Sequence, residues 1–389
     1  MFIFERFARG LAFRRLGLFA KVQDRSLNRC TKLNNESLMA RLAQFVPPFW
    51  PKNLVEAGVV KNLTLEQDTL VISLVLPFVD YQLEASLQRL EAELCQLSGA
   101  KQVKWQIRSD VATLVPGNEA QPISGVRNII AVSSGKGGVG KSTTSVNLAL
   151  ALKALGATVG ILDADVYGPS IPMMLGVTDG KPLSDDGKTM TPISAYGIKA
   201  NSIGFLVGAG DATIWRGPMA SKALSQILTE TRWGDLDYLI IDLPPGTGDI
   251  QLTLAQQIPT TGALVVTTPQ NVALADAIKG ISMFNKVKVP VLGIIENMSY
   301  HTCSQCGHQE SLFGEGGGQR VSNQQQVPLL GQLPLVASLG KDMDEGHPTV
   351  VAHPEGELAA LYLALAARVS LSLYFTSTPV PTRLYTRLV

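Results

Sequence analysis

Hydrophobic residues fall along this chain in two rhythms, and the change between them divides it. From residue 36 to 115 short patterned stretches mix with one helical stripe. VVKNLTL and TLVISLVLP read as two strands around the turn EQD, and VKWQI reads as a third. SLMARLAQFV reads as a short helix stopped by Pro47 and Pro48. In YQLEASLQRLEAELCQL, residues Leu83, Leu87, Leu90, Leu94 and Leu97 recur at four- and three-residue spacing. That pattern predicts one amphipathic helix lying on the small sheet, with Cys95 beside the stripe as a buried structural thiol.

Residues 116–127, which include the turn-rich PGNEAQP, read as a linker. From 128 to 370 continuous apolar runs take over: NIIAVSS, ATVGILD, DYLIIDL, GALVVTT and VPVLGIIEN. Helical patterns lie between some of them, such as SVNLALALKAL, stopped at Gly156, and VALADAIKGISMFNKV. Apolar strands alternating with helices predict an α/β fold, a mostly parallel, doubly wound sheet preceded by the small α+β domain. In the tail, 371–389, Pro379 and Pro381 argue against a long helix. The first 35 residues are Arg-rich, aromatic and poor in acids. They suit a transit peptide or a membrane-surface helix in composition, but lack clean amphipathic spacing and a small-residue cleavage site, so they read as an extension of unknown role.

Composition narrows the classes. A chain of 389 residues, 46% hydrophobic and 17% charged, is long enough for two or three domains with a sizeable core. Lys plus Arg (33) nearly balance Asp plus Glu (32). A net charge of +1 supports neither long-range attraction to nucleic acid nor binding to an anionic membrane. Arg368 interrupts the longest apolar stretch, Leu358 to Phe375, short of an unbroken membrane-spanning length. Four cysteines do not make a disulfide framework in a chain this long. A reducing, cytoplasmic setting follows, in which a CxxC pair points to metal or redox chemistry.

Gly135, Lys136, Gly137, Gly138, Val139, Gly140, Lys141, Ser142 and Thr143 satisfy the P-loop pattern, with a strand before and a helix after. Glycines let backbone N–H groups curl around phosphate oxygens, and the helix N-terminus adds its positive dipole end. Lys141 is assigned to the β- and γ-phosphates of ATP, and the Ser142 hydroxyl to Mg²⁺. Asp242, ending the apolar run YLIID, fits the carboxylate that faces the same Mg²⁺. Asp163 and Asp165 end another strand. Asp165 is assigned to positioning the attacking water, and Asp163 either aids the metal shell or only caps a turn. Lys136 is surplus within one subunit, because one lysine suffices for the phosphates. It makes sense as a cation reaching the partner's nucleotide across a dimer.

These residues carry a resemblance. The GKGGVGKST loop with its extra lysine resembles the deviant Walker A class, which includes the MinD/ParA ATPases and the nitrogenase iron protein. The similarity is closer to the Mrp/ApbC group of iron–sulfur cluster carrier ATPases. It rests on AVSSGKGGVGKSTTSVNLALAL, GILDADVYGPSIPMMLG, WRGPM, LIIDLPPGTGD, IIENMSY followed by CSQC, and LFGEGGG, which together span most of 128–340. The front domain more weakly resembles the iron–sulfur-assembly domain often fused ahead of this ATPase, with no metal ligand of its own. The resemblance implies an ATP-hydrolysing homodimer with nucleotide at the interface and Lys136 acting in trans. It also implies Asn297 against the adenine, Pro334 in the loop near the base, and apo iron–sulfur proteins as recipients.

Cys303 and Cys306 are the remaining feature. Thiolates two apart supply half of a four-thiolate Zn²⁺ or iron–sulfur site, and the chain offers only Cys30 and Cys95 besides. Two copies across a symmetry axis supply the other half, in agreement with the family's [4Fe–4S] cluster bridging two subunits. Other readings stay open: a structural Zn²⁺ bridge, His301 or His308 as added ligands, and a thioredoxin-like redox pair. The GEGGG run that follows argues for a mobile loop, suited to handing over a cluster. The leading expectation is a carrier that binds a cluster and passes it to apoproteins. The alternative is a MinD/ParA-like positioning ATPase with a Zn-bridged CxxC; a small-molecule ATP-dependent ligase is a third class, without a pocket signature.

Overall fold

The computed structural model describes residues 35–205, 217–303 and 305–381. The first 34 residues with Cys30, Trp215 and Arg216 of the WRGPM run, and the last eight residues lie outside them.

The front unit begins with helix α1 (Asn35–Ala43), which ends a turn before Pro47. Strands β1 (Val60–Glu66) and β2 (Thr69–Leu76) pair antiparallel around Gln67 and Asp68, and β3 (Gln102–Ser109) joins β2 in parallel. The β2–β3 crossover is where the single predicted helix needs correction. It is broken into α2 (Leu83–Leu87), a 3₁₀ turn (Gln88–Leu90) and α3 (Glu91–Ser98). Leu83, Leu87, Leu90 and Leu94 face the sheet and are buried, whereas Leu97 is 42% exposed. Three residues past Leu94 is about 60° round the helix, and α3 stops one residue later at left-handed Gly99. Cys95 is half-buried at the rim of this core, not enclosed by it.

The large sheet has eight strands: β4 (Val126–Ser134), β5 (Val159–Asp163), β6 (Ile193–Ala195), β7 (Ile198–Ser202), β8 (Leu236–Asp242), β9 (Gly262–Thr267), β10 (Val291–Glu296) and β13 (Leu329–Gln332). Their order is β13-β10-β9-β4-β8-β5-β7-β6, and every pair is parallel except β6 with β7. This is the mixed α/β, largely parallel sheet expected. The hairpin β6–β7 and the edge strand β13 carry no strong sequence signal and emerge only in the structure. Alternation within the apolar runs decides which layer each residue feeds. Ile130, Val132, Tyr238 and Ile240 point to one face, and Ile129, Ala131, Leu239 and Ile241 to the other.

The first face is covered by α4 (Lys141–Ala154), α5 (Ile171–Met174), α10 (Ala337–Asp344), α11 (Thr349–Ala352) and α12 (Glu357–Thr376). The second carries α6 (Gly217–Glu230), α7 (Asp249–Gln257), α8 (Asn271–Lys286) and α9 (Gly317–Gln325).

Helix α12 runs without a break through Arg368. By length and composition it is apolar enough to cross a bilayer, with mean hydropathy 1.7, yet half of that window is buried within the protein. Arg368 is accommodated by donating to Leu330 O (3.0 Å) and stacking over the Phe49 ring (4.1 Å). Ser370 Oγ accepts from Val79 N (3.0 Å) and hydrogen-bonds the Tyr238 hydroxyl (2.7 Å), so one side chain ties the front unit, α12 and the large sheet together. Around it Trp50, Phe78, Tyr374 and Phe375 pack ring on ring. The segment between the units is pinned as well. Gly117 N donates to Thr260 O, and Asn118 Nδ2 to Ala255 O and Ile258 O. Val115 N and Val380 N exchange hydrogen bonds across Thr378 and Thr113.

Candidate functional site

The carboxyl ends of β4, β5 and β8 converge where the strand order reverses, the place where open α/β sheets bind ligands. The P-loop turns from β4 into α4 there, with Gly138 and Gly140 both left-handed (φ 79° and 81°). A Cβ on Gly140 would also lie 2.1 Å from Asn297 Nδ2 and displace that side chain, beyond the left-handed backbone that already favours glycine. A depression of about 200 Å³ opens over Lys136, Gly137, Gly138, Lys141, Ser142 and Asp165. Val139 packs inward, and Thr143 lies half-buried in the first turn of α4. Gly135 sits flat against α8, where a Cβ would strike Asp276.

Asp242 is fully buried and accepts three hydrogen bonds: from Lys141 Nζ (2.7 Å), Ser142 Oγ (2.6 Å) and Ser145 Oγ (2.6 Å). Ser145 escapes sequence reasoning, although its place three residues after Ser142 on the same helix face was a legible hint. Asp163 is fully buried too. Its Oδ1 accepts from Asp165 N (3.1 Å), and its Oδ2 from Ser170 N (3.1 Å), Ile171 N (3.2 Å) and Ser202 Oγ (3.1 Å). Burial first, and then the Asp242 charge beside it, push the Asp163 carboxyl up to about 7. With four donors on it, Asp163 is engaged in holding the loop that leads into α5. Asp165 lines the depression and has only local backbone donors, such as Tyr167 N (3.3 Å). Burial raises its pKa, opposed by the Lys141 charge.

Lys136 is half-buried and donates to Gln270 Oε1 (3.3 Å), which also accepts from Thr268 Oγ1 (3.2 Å). In a single subunit the extra lysine thus rests on the residue preceding α8. Asn297, just past β10, donates from Nδ2 to Val139 O (2.9 Å), while its buried Oδ1 has no partner. An unpaired acceptor beside the P-loop fits the amino group of a nucleotide base. Pro334 is buried in the neighbouring loop, laced to the same strand end by Leu333 N donating to Glu296 O (2.9 Å).

The cysteines sit beyond that strand end on a two-stranded hairpin, β11 (His301–Thr302) with β12 (Gln309–Glu310). Cys303 N donates to His308 O and Gly307 N to Cys303 O (both 2.9 Å), with Gly307 left-handed. Cys303 is half-buried and Cys306 exposed. The backbone amide of Gln305, then that of Cys306 and its thiol, hold the Cys303 thiol below its ordinary range, which favours the thiolate. The pair heads no helix, unlike a thioredoxin-type redox pair. Among the described residues no group of three or more His, Cys, Asp or Glu side chains could hold a metal. In the GEGGG run Gly314, Glu315 and Gly316 are exposed, but its last two glycines are not free loop. Gly317 and Gly318 are buried, and Cβ atoms there would strike Leu274 and Pro269 or Glu296, so these glycines serve close packing. Gly318 N donates to the buried Glu296 carboxylate (2.8 Å), which anchors α9 to β10.

A strand-to-helix glycine loop, a buried lysine on its first helical turn and a carboxylate closing the adjacent strand define a P-loop NTPase. The model of ParA-type, NUBPL iron-transfer P-loop NTPases matches residues 125–370. The iron–sulfur cluster carrier protein of Haemophilus influenzae is 55% identical over 344 residues, covering 88% of this chain and 93% of that protein. The carrier protein of Escherichia coli K12 is 55% identical over 341 residues, covering 87% and 92%. A solved nucleotide-binding protein of Archaeoglobus fulgidus in complex with ADP superposes with a TM-score of 0.53 at 39% identity, covering 61% of this chain and 92% of that one. On the family match and on relatives 55% identical over most of both chains, the chain belongs to the iron–sulfur cluster carrier proteins.

Proposed function

We propose that this chain binds and hydrolyses ATP with Mg²⁺ as a cytoplasmic homodimer, carries a [4Fe–4S] cluster on Cys303 and Cys306 of both subunits, and passes it to apo iron–sulfur proteins. The observation that carries the reading is the placement of a two-thiol half-site on the strand end whose Asn297 touches the P-loop. Two thiols leave half of a four-coordinate cargo to be ligated elsewhere, and a second copy supplies the matching pair.

The residues divide the work as follows. Backbone amides of Gly135 to Thr143 cradle the phosphates at the start of α4. Lys141 leaves Asp242 for the β- and γ-phosphates, and Ser142 with Asp242 then face Mg²⁺, which supplies charge neutralisation on the phosphates. Asp165 orients the attacking water, on a loop that Asp163 holds in place. Lys136 exchanges Gln270 for the partner's nucleotide, adding positive charge where it develops during hydrolysis. Asn297 Oδ1 and the loop at Pro334 receive the adenine. Nucleotide state then alters the geometry of the dimer and the hold on the cargo.

Anaerobic reconstitution tests this reading. Wild type is expected to take up iron and sulfide, and Cys303→Ser and Cys306→Ser to lose both while nucleotide binding is retained. Full iron and sulfide in the double variant refutes it. Counting zinc in the same samples decides between the cluster and a Zn²⁺ bridge, which the tight knuckle at Gly307 would also suit.

A further inference from the structure

A continuous set of contacts leads from the P-loop to the cysteine hairpin. It starts at Val139 O, held by Asn297 Nδ2 (2.9 Å). From Asn297 the chain reaches Cys303 in six residues without an intervening helix. The loop after β13 is stitched alongside: Leu333 N to Glu296 O (2.9 Å), Ser299 N to Leu333 O (2.9 Å) and Leu335 N to Tyr300 O (2.7 Å). The next link is made by a side chain, His301 Nδ1 to Leu335 O (3.1 Å). A carbonyl only accepts, so Nδ1 carries the proton in this contact. Past His301 the hairpin is held by its own pairing, His301 with Glu310 and Thr302 with Gln309. Among the described residues, the His301 ring makes the last hydrogen bond between the hairpin and the loop at 333–335 before the cysteines.

We propose that His301 is a positioning residue that transmits the nucleotide state of the P-loop to the Cys303–Cys306 hairpin; this rests on the carrier reading above. A nucleotide that engages Asn297 Oδ1 shifts the strand end. The loop at 333–335 shifts with it, because main-chain bonds join the two. The hairpin follows only while its base is fastened to Leu335. Without the ring it pivots at Tyr300, and the thiols no longer respond to what the P-loop holds. His301 acts through this bond and not as a ligand of the cargo.

The test uses full-length, cluster-free protein. Alkylation rates of Cys303 and Cys306 by iodoacetamide are read by peptide mass spectrometry, with and without a non-hydrolysable ATP analogue and Mg²⁺. In wild type the analogue is expected to change the rate about five-fold, the scale of one hydrogen bond's net contribution. His301→Phe brings that ratio to near one with analogue affinity unchanged. His301→Asn, whose amide nitrogen falls where Nδ1 was, restores it, a rescue that a merely space-filling role would not give. His301→Ala is read in the same way if the larger ring disturbs folding. A wild-type rate indifferent to nucleotide, or a His301→Phe ratio equal to wild type, overturns the proposal. Iron and sulfide uptake judges the carrier reading separately, since the thiol measurement needs no cluster.

Discussion

Replacing Asp163 by Asn gives a stability change that grows more favourable as pH rises. In the nucleotide-free protein, burial and the neighbouring Asp242 raise the Asp163 carboxyl from 3.8 to about 7. Below both values the group is protonated in the folded and unfolded chain alike and favours neither. As pH rises from about 4 to about 7 the unfolded chain ionises first, so folded stability falls; above about 7 the penalty is constant. At about 1.4 kcal/mol per pKa unit the whole penalty is about 4 kcal/mol, of which about 2–3 kcal/mol develops between pH 5 and 8. Asn does not titrate and escapes this loss. Its amide N–H₂ must instead face one of the donors that Asp163 now satisfies, such as Asp165 N or Ser170 N, at a cost of about 1–3 kcal/mol. About 1–2 kcal/mol of the penalty has already developed by pH 5, so Asp163→Asn is expected to lie within about 1 kcal/mol of wild type there, and to exceed it by about 1–3 kcal/mol at pH 8. Urea denaturation in EDTA without nucleotide, followed by circular dichroism at pH 5, 6, 7 and 8, measures the difference; groups that titrate alike in both proteins cancel. A difference constant across this range refutes the account of Asp163 as a buried carboxyl with a raised pKa.

Two further outcomes follow from the packing. Lys141→Met strands the fully buried Asp242 carboxylate and should cost about 3–5 kcal/mol in nucleotide-free urea denaturation; adding Asp242→Asn should recover part of that loss, and strict additivity of the two would deny the ion pair its role. Phe78→Ala empties the ring cluster shared by the front unit and α12, with an expected cost of about 3–5 kcal/mol. Calorimetry should show the loss in the front unit's unfolding, with nucleotide affinity unchanged; reduced affinity would show that the cluster also supports the P-loop.

The parallel sheet was legible because its strands are buried on both faces, and such strands read as unbroken apolar runs whatever their order. Order itself was not legible: nothing in GILDADV or YLIIDL says that β8 lies between β4 and β5. The broken crossover helix in the front unit shows a limit of periodicity. Leu83, Leu87, Leu90 and Leu94 keep the stripe buried, yet the backbone tightens into a 3₁₀ turn between them. A leucine at the right interval after the last buried turn, Leu97, finds no sheet left to cover. Arg368 interrupts the apolar run in sequence without ending the helix, because its neighbours offer Leu330 O and the Phe49 ring.

For the site, motifs identify residues that meet a ligand but are silent on those that meet each other. Lys141, Ser142 and Asp242 follow from the P-loop pattern, whereas Ser145, Ser202 and Gln270 belong to no motif and hold Asp242, Asp163 and Lys136 respectively. Asp163 is the instructive case, because its sequence position allowed either a metal-facing carboxylate or a turn cap, and four donors around one buried group favour the cap. The cysteine pair has the same character. In sequence its spacing matches half a metal site, and the count of cysteines points to a second copy for the other half. What spacing cannot announce is that Asn297, 158 residues from Val139 along the chain, brings the P-loop and the hairpin onto one strand end. A nucleotide switch and a cargo site can be coupled only through contacts that have two arrangements. Under the coupling proposed above, those contacts are main-chain bonds closed by a single imidazole.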